Sequence, residues 1–355
     1  MQILLIKLEY RLLDEETIAV LAKLVSAASS ATGLSLAHCE IESFPQFLEF
    51  LLSLKNLNRK WKLLNFSTIG LNDDMLSTIS LLCYHEDESP MSSLKFSSST
   101  GSLLRLILLG NDAASFGIER LSIALSNPFC CITTLNVAEC DIDDTDALSL
   151  KKGLESNRSI LKLILSRNRL TSKGISFIVT ALISQKNIRI LVLDGNDLSY
   201  PGHNIRNLLF VAQNLKELRC SDCQIGHESL IEIAYGIVSS KSLVKLDLSH
   251  NFIEQKTALC IFDAIAENPI LSELTLWGNE CETSEIMDSA IGILKTYNSK
   301  LTVTLHRSGG FISNEDDTYC AWNPIAKRSS VLLDIDSPLV AFEGVVLPHK
   351  TKFEG

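Results

Sequence analysis

One spacing of hydrophobic residues recurs along most of the chain, in the template L-x-x-L-x-L-x-x-(N/C)-x-L, whose positions we number 1 to 11. The clearest copies are "ILKLILSRNRL" from Ile160, "IRILVLDGNDL" from Ile188, "LKELRCSDCQI" from Leu215, "LVKLDLSHNFI" from Leu243 and "LSELTLWGNEC" from Leu271. These copies start 27 or 28 residues apart, and further copies start at Ile3, Ala31, Trp61, Leu103, Ile132 and Lys300. A fixed period of this length indicates a repeat architecture.

Each copy changes its hydrophobic period once. Positions 4 and 6 are apolar and point one way, while positions 3, 5 and 7 point the other way, as in a short strand. After position 11 the period becomes helical: in "GISFIVTALISQ", Ile175, Ile178 and Leu182 mark one face. A strand and a helix cannot bury their apolar sides alone. We therefore predict an α/β fold in which the repeats stack into a curved solenoid, with parallel strands on the concave face and helices on the convex face.

This pattern resembles the leucine-rich repeat family, and the repeat length with a helical second half resembles its ribonuclease-inhibitor-like class. The resemblance covers residues 1–306 and implies a horseshoe-shaped solenoid. Three copies depart from it, because Arg11, Ile69 and Ser308 stand where the template has Asn or Cys. The first and last of these copies are terminal, where repeats are normally atypical. Ile69 is internal, so we expect an irregular turn there.

The domain prediction is one solenoid over residues 1–306 and a C-terminal cap or tail over residues 307–355. The Ser-rich segment 84–102 lengthens one repeat and is predicted to be a loop, with a docking or modification site as the alternative. Two stretches of the tail, "VLLDID" and "LVAFEGVVL", are predicted to be strands. We expect the tail to cover the open end of the core.

Composition narrows the class of partner and the compartment. The net charge of −10 argues against nucleic acid, because a phosphate backbone requires a basic surface. The start "MQILLIKLEYRLLDEET" is a poor signal peptide, and no run reaches the roughly 18 uncharged apolar residues of a membrane helix. Ten scattered cysteines are typical of free thiols in a reducing compartment. We expect a cytoplasmic protein that binds no membrane.

Cys220, Cys223 and His227 raise the question of a metal or redox site, because C-x-x-C is a spacing used for both. In the repeat frame, Cys220 takes inward position 6, where most other copies have Leu. Cys223 takes position 9, where Cys39 and Cys140 also stand in place of Asn. A buried side chain at position 9 can satisfy backbone groups of the turn. We therefore interpret both thiols as packing residues and predict no metal and no cofactor.

A second group could suggest hydrolysis, because it falls on adjacent strands or their ends: Ser221, Asp222, Asp247, Ser249 and His250. Acyl transfer also requires an oxyanion hole and a strained turn that presents the nucleophile. The sequence provides neither of these. We interpret the group as solvated polar side chains and predict that the protein is not an enzyme.

The candidate binding surface is the concave face, formed by positions 3, 5, 7 and 8. Its apolar zone, on a surface that should be solvated, comprises Ile107, Leu109, Ile164, Ile190 and Val192. Its polar zone comprises Asp194, Arg219, Asp222, Asp247, His250 and Trp277. An exposed Trp favours a binding hot spot. The alternatives are β-propensity for the apolar zone, packing against the tail for Trp277, and mutual pairing for Glu217, Lys245 and Glu273.

These features predict a monomeric, non-enzymatic module that binds a protein partner on its concave face. The chain resembles stand-alone leucine-rich repeat proteins, including those that intracellular bacteria such as Legionella deliver into host cells. That resemblance implies a partner in the host cytosol. The alternative function is a GTPase-activating protein resembling the Ran activator, although the long acidic C-terminal run of such proteins is missing. A bacterial ubiquitin ligase of this repeat class is disfavoured, because the 49 residues after His306 cannot hold its catalytic domain.

Overall fold

The computed structural model describes residues 3–57, 61–83, 103–111, 115–200, 202–268, 270–281 and 301–304, together with helical positions 288, 292 and 296 and two short strands at 311–312 and 339–341. The predicted loop at 84–102 and most of the tail at 307–355 lie outside these residues.

The repeats contribute one parallel strand each to a single sheet. In chain order the strands are β1 (Ile3–Lys7), β2 (Leu12–Leu13), β3 (Gly33–Ser35), β4 (Glu40–Ile41), β5 (Leu63–Asn65), β6 (Arg105–Ile107), β7 (Thr134–Asn136), β8 (Lys162–Ile164), β9 (Ile190–Val192), β10 (Glu217–Arg219), β11 (Lys245–Asp247), β12 (Glu273–Thr275) and β13 (Thr302–Thr304). Strands β2 and β4 pair separately. The register places position 4 of one repeat opposite position 4 of the next, as Leu163, Leu191 and Leu218 show.

Helices return the chain on the other side of the sheet, and each packs against the next. They are α1 (Glu15–Ala27), α2 (Phe44–Asn56), α3 (Asp73–Ser80), α4 (Ser115–Ser126), α5 (Asp144–Ser156), α6 (Ser172–Gln185), α7 (Gly202–Val211), α8 (His227–Ser239) and α9 (Gln255–Glu267). The predicted solenoid of eleven parallel strands alternating with helices is confirmed. Within the described ranges, no helix is long and apolar enough to cross a membrane.

Several helices begin where a side chain accepts a hydrogen bond from a first-turn N–H that has no partner within the helix. Asp143 caps α5 in a capping box with Asp146. Thr171 caps α6, and Asp144 of the preceding repeat also accepts from the N–H groups of Thr171 and Gly174, both at 2.9 Å. A β-carbon at Gly174 would collide with that carboxylate, so a missing side chain lets the two repeats approach.

One hydrophobic core runs along the stack between the sheet and the helices. Positions 4 and 6 fill it from the sheet side, and Leu163, Leu165, Leu191 and Leu193 are all fully buried. The inward and outward faces of the strands are therefore assigned as the periodicity predicts.

Asparagine at position 9 links neighbouring repeats through their backbones. Asn168 Oδ1 accepts from the N–H groups of Cys140 and Ile142 in the preceding repeat, at 3.0 and 3.1 Å. Its Nδ2 donates to the carbonyl oxygens of Val137 and Leu165, at 2.9 and 2.8 Å. The same four bonds recur at Asn111, Asn251 and Asn279. Buried backbone groups of the turn thus obtain the partners they require.

Where cysteine occupies position 9, its thiol takes the place of the asparagine Nδ2 as hydrogen-bond donor. The Cys223 thiol donates to Leu193 O at 3.4 Å and to Ser221 O at 3.2 Å, and Cys140 repeats both contacts with Leu108 O and Ala138 O at 3.2 Å. The N–H of Leu198 donates to Cys223 O at 2.9 Å. The packing interpretation of position 9 is confirmed.

The irregular turn expected at Ile69 is wrong. Ile69 is 3% exposed and packs in the core, while its N–H and that of Leu71 are both accepted by Asn111 Oδ1. The turn keeps its form because the asparagine that satisfies it belongs to the following repeat.

A left-handed residue follows each described strand of the repeats that start from Ile3 to Leu271. Position 8 has a φ between 51° and 75° in all ten of them. Glycine occupies it three times, as Gly110, Gly195 and Gly278, and the remaining repeats place side chains there, such as Tyr10 and His250. A left-handed conformation is unfavourable for residues that carry a β-carbon. The surrounding turn must therefore hold the backbone of these non-glycine residues in that conformation.

Two strands of the tail extend the sheet. β14 (Phe311–Ile312) pairs antiparallel with β13, and β15 (Leu339–Ala341) pairs parallel with β1 at the opposite end. A strand therefore occurs within "LVAFEGVVL", while "VLLDID" lies outside the described residues. Coverage of the core's open end by the tail stays a prediction.

Leu193→Ala is expected to lower the free energy of unfolding by about 2–5 kcal/mol, because it leaves a cavity at a fully buried position. Urea denaturation measures the change. Glu217→Ala, on the outward face of the adjacent strand, is the control and should change the free energy by less than about 0.5 kcal/mol. A neutral Leu193→Ala would mean that the two faces have been exchanged.

Cys223→Asn is expected to stay within about 1 kcal/mol of the wild-type free energy of unfolding, because a carboxamide occupies the same turn in other repeats. Cys223→Ala should lower it by about 1–3 kcal/mol, since it leaves a cavity at a fully buried position and removes the thiol contacts with Leu193 O and Ser221 O. Chemical denaturation compares the three proteins. Stoichiometric zinc in the purified wild type would instead show that Cys223 is a ligand.

Candidate functional site

Parallel register brings the predicted surface residues into rows across the concave face. In the row at position 5, Ile164 lies opposite Val192, Val192 opposite Arg219, and Arg219 opposite Asp247. Adjacent strands are about 4.8 Å apart, so neighbouring side chains in a row touch. The apolar and polar zones are therefore parts of one continuous surface.

Most of the apolar zone is not solvated, and that expectation is wrong. Leu109, Ile164 and Val192 are only 4%, 8% and 5% exposed, and they form a small second core with Ala138. Ile107 and Ile190 pack against its edges and are partly buried. Because the strands are closely spaced, each side chain covers its neighbours. The periodicity of a single strand does not reveal this burial. Only Ile107 and Ile190 retain apolar surface for a partner.

The polar zone is organised around Arg219. Its Nη2 lies 3.1 Å from Asp194 Oδ2, and its Nε lies 3.8 Å from Asp247 Oδ2. The second distance is too long for a hydrogen bond, and Nε has no acceptor among the described residues. The Arg219 side chain remains 32% exposed, so the guanidinium is both held by carboxylates and accessible from the concave side.

Two serines support the carboxylates. Asp194 Oδ1 accepts from the Ser221 N–H at 2.9 Å, and Asp247 Oδ1 accepts from the Ser249 hydroxyl at 2.7 Å. The hydroxyls of Ser249 and Ser221 lie 2.9 Å apart. Burial raises the pKa of Asp194 above its ordinary value, and the Arg219 guanidinium opposes that rise. The charges are therefore fixed in position before any partner arrives.

Trp277 lies at the far end of the polar zone, half-buried against His250. The two rings meet edge to face, with centroids 3.9 Å apart and planes at 75°. The left-handed Gly278 permits this contact, since a β-carbon there would lie 2.6 Å from His250 Nδ1. The other predicted partner of Trp277, the tail, falls almost wholly outside the described residues.

Asp222 is not brought into the Arg219 cluster. It is exposed in a left-handed conformation, and its N–H donates to Ser249 O at 3.0 Å. Asp222 lines a groove of about 330 Å³ together with Arg169, Thr171 and Asp197, on the loops that lead to the helices. In the row at position 3, the predicted pairing occurs between Lys245 and Glu273, at 2.9 Å.

The cysteine motif is dispersed by the fold. Cys220 and Cys223 are buried free thiols, while His227 lies within hydrogen-bonding distance, 2.6 Å, of Thr257 on the next helix. Burial raises the pKa of the Cys223 thiol to about 12 and that of Cys220 well above its ordinary value. Thiols of this kind are poor nucleophiles and poor metal ligands at neutral pH. No group of three or more His, Cys, Asp or Glu in the described part of the chain is arranged to hold a metal ion.

The serine, aspartate and histidine of the hydrolytic group are also separated. The Ser249 hydroxyl faces Asp247 and Ser221, whereas the His250 ring lies against Trp277. A hydrolase requires an imidazole within hydrogen-bonding reach of its nucleophile. These contacts give the serines a role in positioning Asp247 and Asp194.

Sequence reasoning missed Ala138, which completes the second core, and the aromatic contacts at position 8. Tyr10 and His38 stack with centroids 4.8 Å apart, and the His38 ring lies 2.5 Å from the Thr68 hydroxyl. All three residues hold position 8 of successive repeats. The signal was present in the frame, because residues at one position of adjacent repeats are neighbours on the surface.

Comparison with known proteins points in the same direction as the fold. A family model described as "Leucine Rich repeat" matches residues 130–151 and 156–179. NACHT, LRR and PYD domains-containing protein 13 of Homo sapiens is 25% identical over 289 residues, which is 73% of this chain and 27% of that protein. Ribonuclease inhibitor of Sus scrofa is 26% identical over 186 residues, 51% of this chain and 35% of the inhibitor. The inhibitor of Mus musculus is 24% identical over 222 residues, covering 52% and 48%.

Among solved structures, an internalin C2 of Listeria monocytogenes is 19% identical to this chain. The match covers 68% of this chain and 78% of the internalin, with a TM-score of 0.38. This structural similarity is too low to bear on function. The chain spans less than half the length of the curated relatives above, between 27% and 48%. The chain is a leucine-rich repeat solenoid, and its repeats are similar to those of ribonuclease inhibitor.

Proposed function

We propose that this solenoid is a protein-binding module whose concave face engages a folded protein partner. Leucine-rich repeat domains are typically protein-binding, which supports the proposal at the level of the family. The observation that carries it is the ordered run of charges from Asp194 through Arg219 to Asp247. Charges already held in place lose little conformational freedom on binding, and they select partners by complementarity.

The concave face offers charged contacts and apolar contacts to a partner. Arg219, at 32% side-chain exposure, and Asp247, at 22%, can set the register of a partner. Trp277 and the exposed edges of Ile107 and Ile190 supply apolar area on either side. An aromatic anchor beside fixed charges is the composition common in binding hot spots. On this proposal, Leu109, Ile164 and Val192 form the rigid floor and make little direct contact.

The compartment is part of the proposal. The cysteines that the structure describes, nine of them, are free thiols, which fits a reducing cytosol. Delivery by a bacterium into a host cytosol stays a prediction from the sequence, and so does the monomeric state.

The alternative function, a GTPase-activating protein, also stays a prediction. It is tested by measuring GTP hydrolysis by a panel of small GTPases in the presence of the purified chain. Stimulated hydrolysis by any of them would favour this alternative.

Trp277→Ala is expected to weaken partner binding by about 2 kcal/mol or more, roughly 30-fold, with little change in Tm, because the ring is outside the core. Quantitative affinity capture from lysate identifies partners, and calorimetry with the leading one measures the loss. Phe116→Ala, an aromatic truncation on convex helix α4, is the matched control. Equal loss in both variants would contradict a concave site, and strong destabilisation by Trp277→Ala would assign the ring to packing.

Arg219→Ala is expected to lower stability more at pH 7 than at pH 4. Burial already raises the pKa of Asp194 in the folded state, and losing the guanidinium raises it further. A raised carboxyl pKa favours folding below the unfolded value of about 3.9, and that stability is lost as the pH rises through the folded pKa. Urea denaturation at both pH values measures the difference. Arg219→Lys keeps the charge and should show a smaller pH effect; equal losses at both pH values would assign Arg219 to packing alone.

A further inference from the structure

Basic residues are concentrated in the loops that carry the chain from each helix into the next strand. In four consecutive loops, 156–162, 184–190, 211–217 and 239–245, the sequence has seven basic residues and one acidic residue, Glu217, although the whole chain has a net charge of −10. We call these loops the basic edge. Its basic residues are Arg158, Lys162, Lys186, Arg189, Lys216, Lys241 and Lys245.

Hydrogen bonds between repeats hold these loops side by side. The Asn214 amide donates to Lys186 O at 3.0 Å, and the Lys216 N–H donates to Arg189 O at 2.7 Å. The Lys245 N–H in turn donates to Lys216 O at 2.9 Å. Bases that are far apart in the sequence are thereby gathered on one rim of the solenoid.

The central bases of this edge have no carboxylate partner within the described ranges. Lys186, Arg189, Lys216 and Lys241 are all exposed, and the salt bridges of the described chain involve other residues. Only Lys245 is paired, with Glu273. Among the described residues, no ion pair therefore holds these four bases.

A groove with an apolar wall lies between two of these lysines. It has a volume of about 400 Å³, and Lys186, Lys241, Phe210, Val211 and Asn214 line it. Phe210 is 65% exposed, and one repeat further along, Val238 at the end of α8 is 37% exposed. The groove can accept an apolar side chain while the lysines hold charges on both sides of it.

Compensation of helix dipoles accounts for little of this arrangement. A base stabilises a helix C-terminus mainly within the last turn. The last turns of α5, α6 and α8, which the structure describes in full, hold no basic residue. Lys186 and Lys241 lie at or beyond the caps, and Arg189 and Lys216 already lie at the start of the next strand. Their clustering therefore requires another reason.

We propose that the basic edge is a second binding surface, which takes a short acidic segment of a protein partner with one apolar side chain seated beside Phe210. Charge complementarity selects acidic residues, and the groove selects the apolar one. A short segment feels only the local field, because charges further away than about 8–10 Å are screened. Nucleic acid or a membrane surface would extend past the edge onto a net-negative protein, which disfavours both. The surface borders the concave face at Lys162 and Lys245, but its groove beside Phe210 lies outside that face, and the proposal does not rest on the function proposed above.

The test uses the full chain and a fluorescein-labelled oligoglutamate peptide with one central phenylalanine. Fluorescence anisotropy at low salt is expected to show saturable binding, which weakens as salt is added. The charge-reversed pair Lys186→Glu/Lys241→Glu should weaken it by about tenfold or more. Phe210→Ser should reduce the affinity for this peptide to that of a peptide with alanine in place of phenylalanine.

The matched control reverses two charges elsewhere, as Lys173→Glu/Lys256→Glu. Both lysines are exposed in the first turns of α6 and α9, where Glu is tolerated, and the 14 residues of α6 separate Lys173 from the edge by about 21 Å. This control should change the affinity less than twofold. Lys186→Gln/Lys241→Gln, which adds no negative charge, should give an intermediate loss and guards against misfolding of the reversed pair.

Four results would overturn the proposal. The first two are an absence of saturable peptide binding and an equal loss of affinity in the edge and control variants. The other two are a loss of affinity below about threefold in both edge variants and tighter binding of other polyanions than of the peptide. The last comparison uses phosphatidylserine vesicles and single-stranded DNA under the same salt. Retention of oligoglutamate binding by Trp277→Ala shows that this surface works independently of the concave face.

Discussion

The side chain at position 9 is the contact on which the rest of the structure depends. Four of these asparagines accept two N–H groups of the preceding repeat and donate to carbonyl oxygens of both repeats, as Asn251 does with Cys223, Ile225, Cys220 and Leu248. Buried turns could not form without such partners, since unpaired backbone groups destabilise a core strongly. The left-handed residue at position 8, the strand register and the division of side chains between core and concave face all follow from this fixed turn.

A fixed register turns small sequence differences into a patterned surface. Because rows of side chains stand about 4.8 Å apart, apolar residues in one row bury one another, as Ile164 and Val192 do, and unlike charges pair, as Arg219 and Asp247 do. The result is a rigid floor, a cluster of oriented charges and a partly covered Trp277. In the loops that precede the strands, the same stacking gathers Lys186, Lys216 and Lys241 on one rim. Neither surface exists in a single repeat.

The fold could be predicted almost completely from the sequence, because each repeat carries its own period and its own turn residue. Strands, helices, buried leucines such as Leu193 and the structural role of Cys223 all follow from local position in the frame. The features that escaped prediction depend on pairs of repeats. The burial of Leu109 requires Ala138 beside it, the regular turn at Ile69 is supplied by Asn111, and the orientation of Trp277 is set by His250 and Gly278. Contacts of this kind join residues about one repeat apart and are invisible in any one copy.

The asparagine link also gives the stack a direction. In a cut just before Leu243, Asn251 of the C-terminal fragment would lose Cys220 O but would still donate to Leu248 O. The N-terminal fragment would fare worse, because the buried N–H groups of Cys223 and Ile225 would both lose their acceptor. Each repeat is thus finished by its successor. In the asparagine links, the loss of a repeat therefore leaves unpaired N–H groups in the repeat before it and not in the repeat after it.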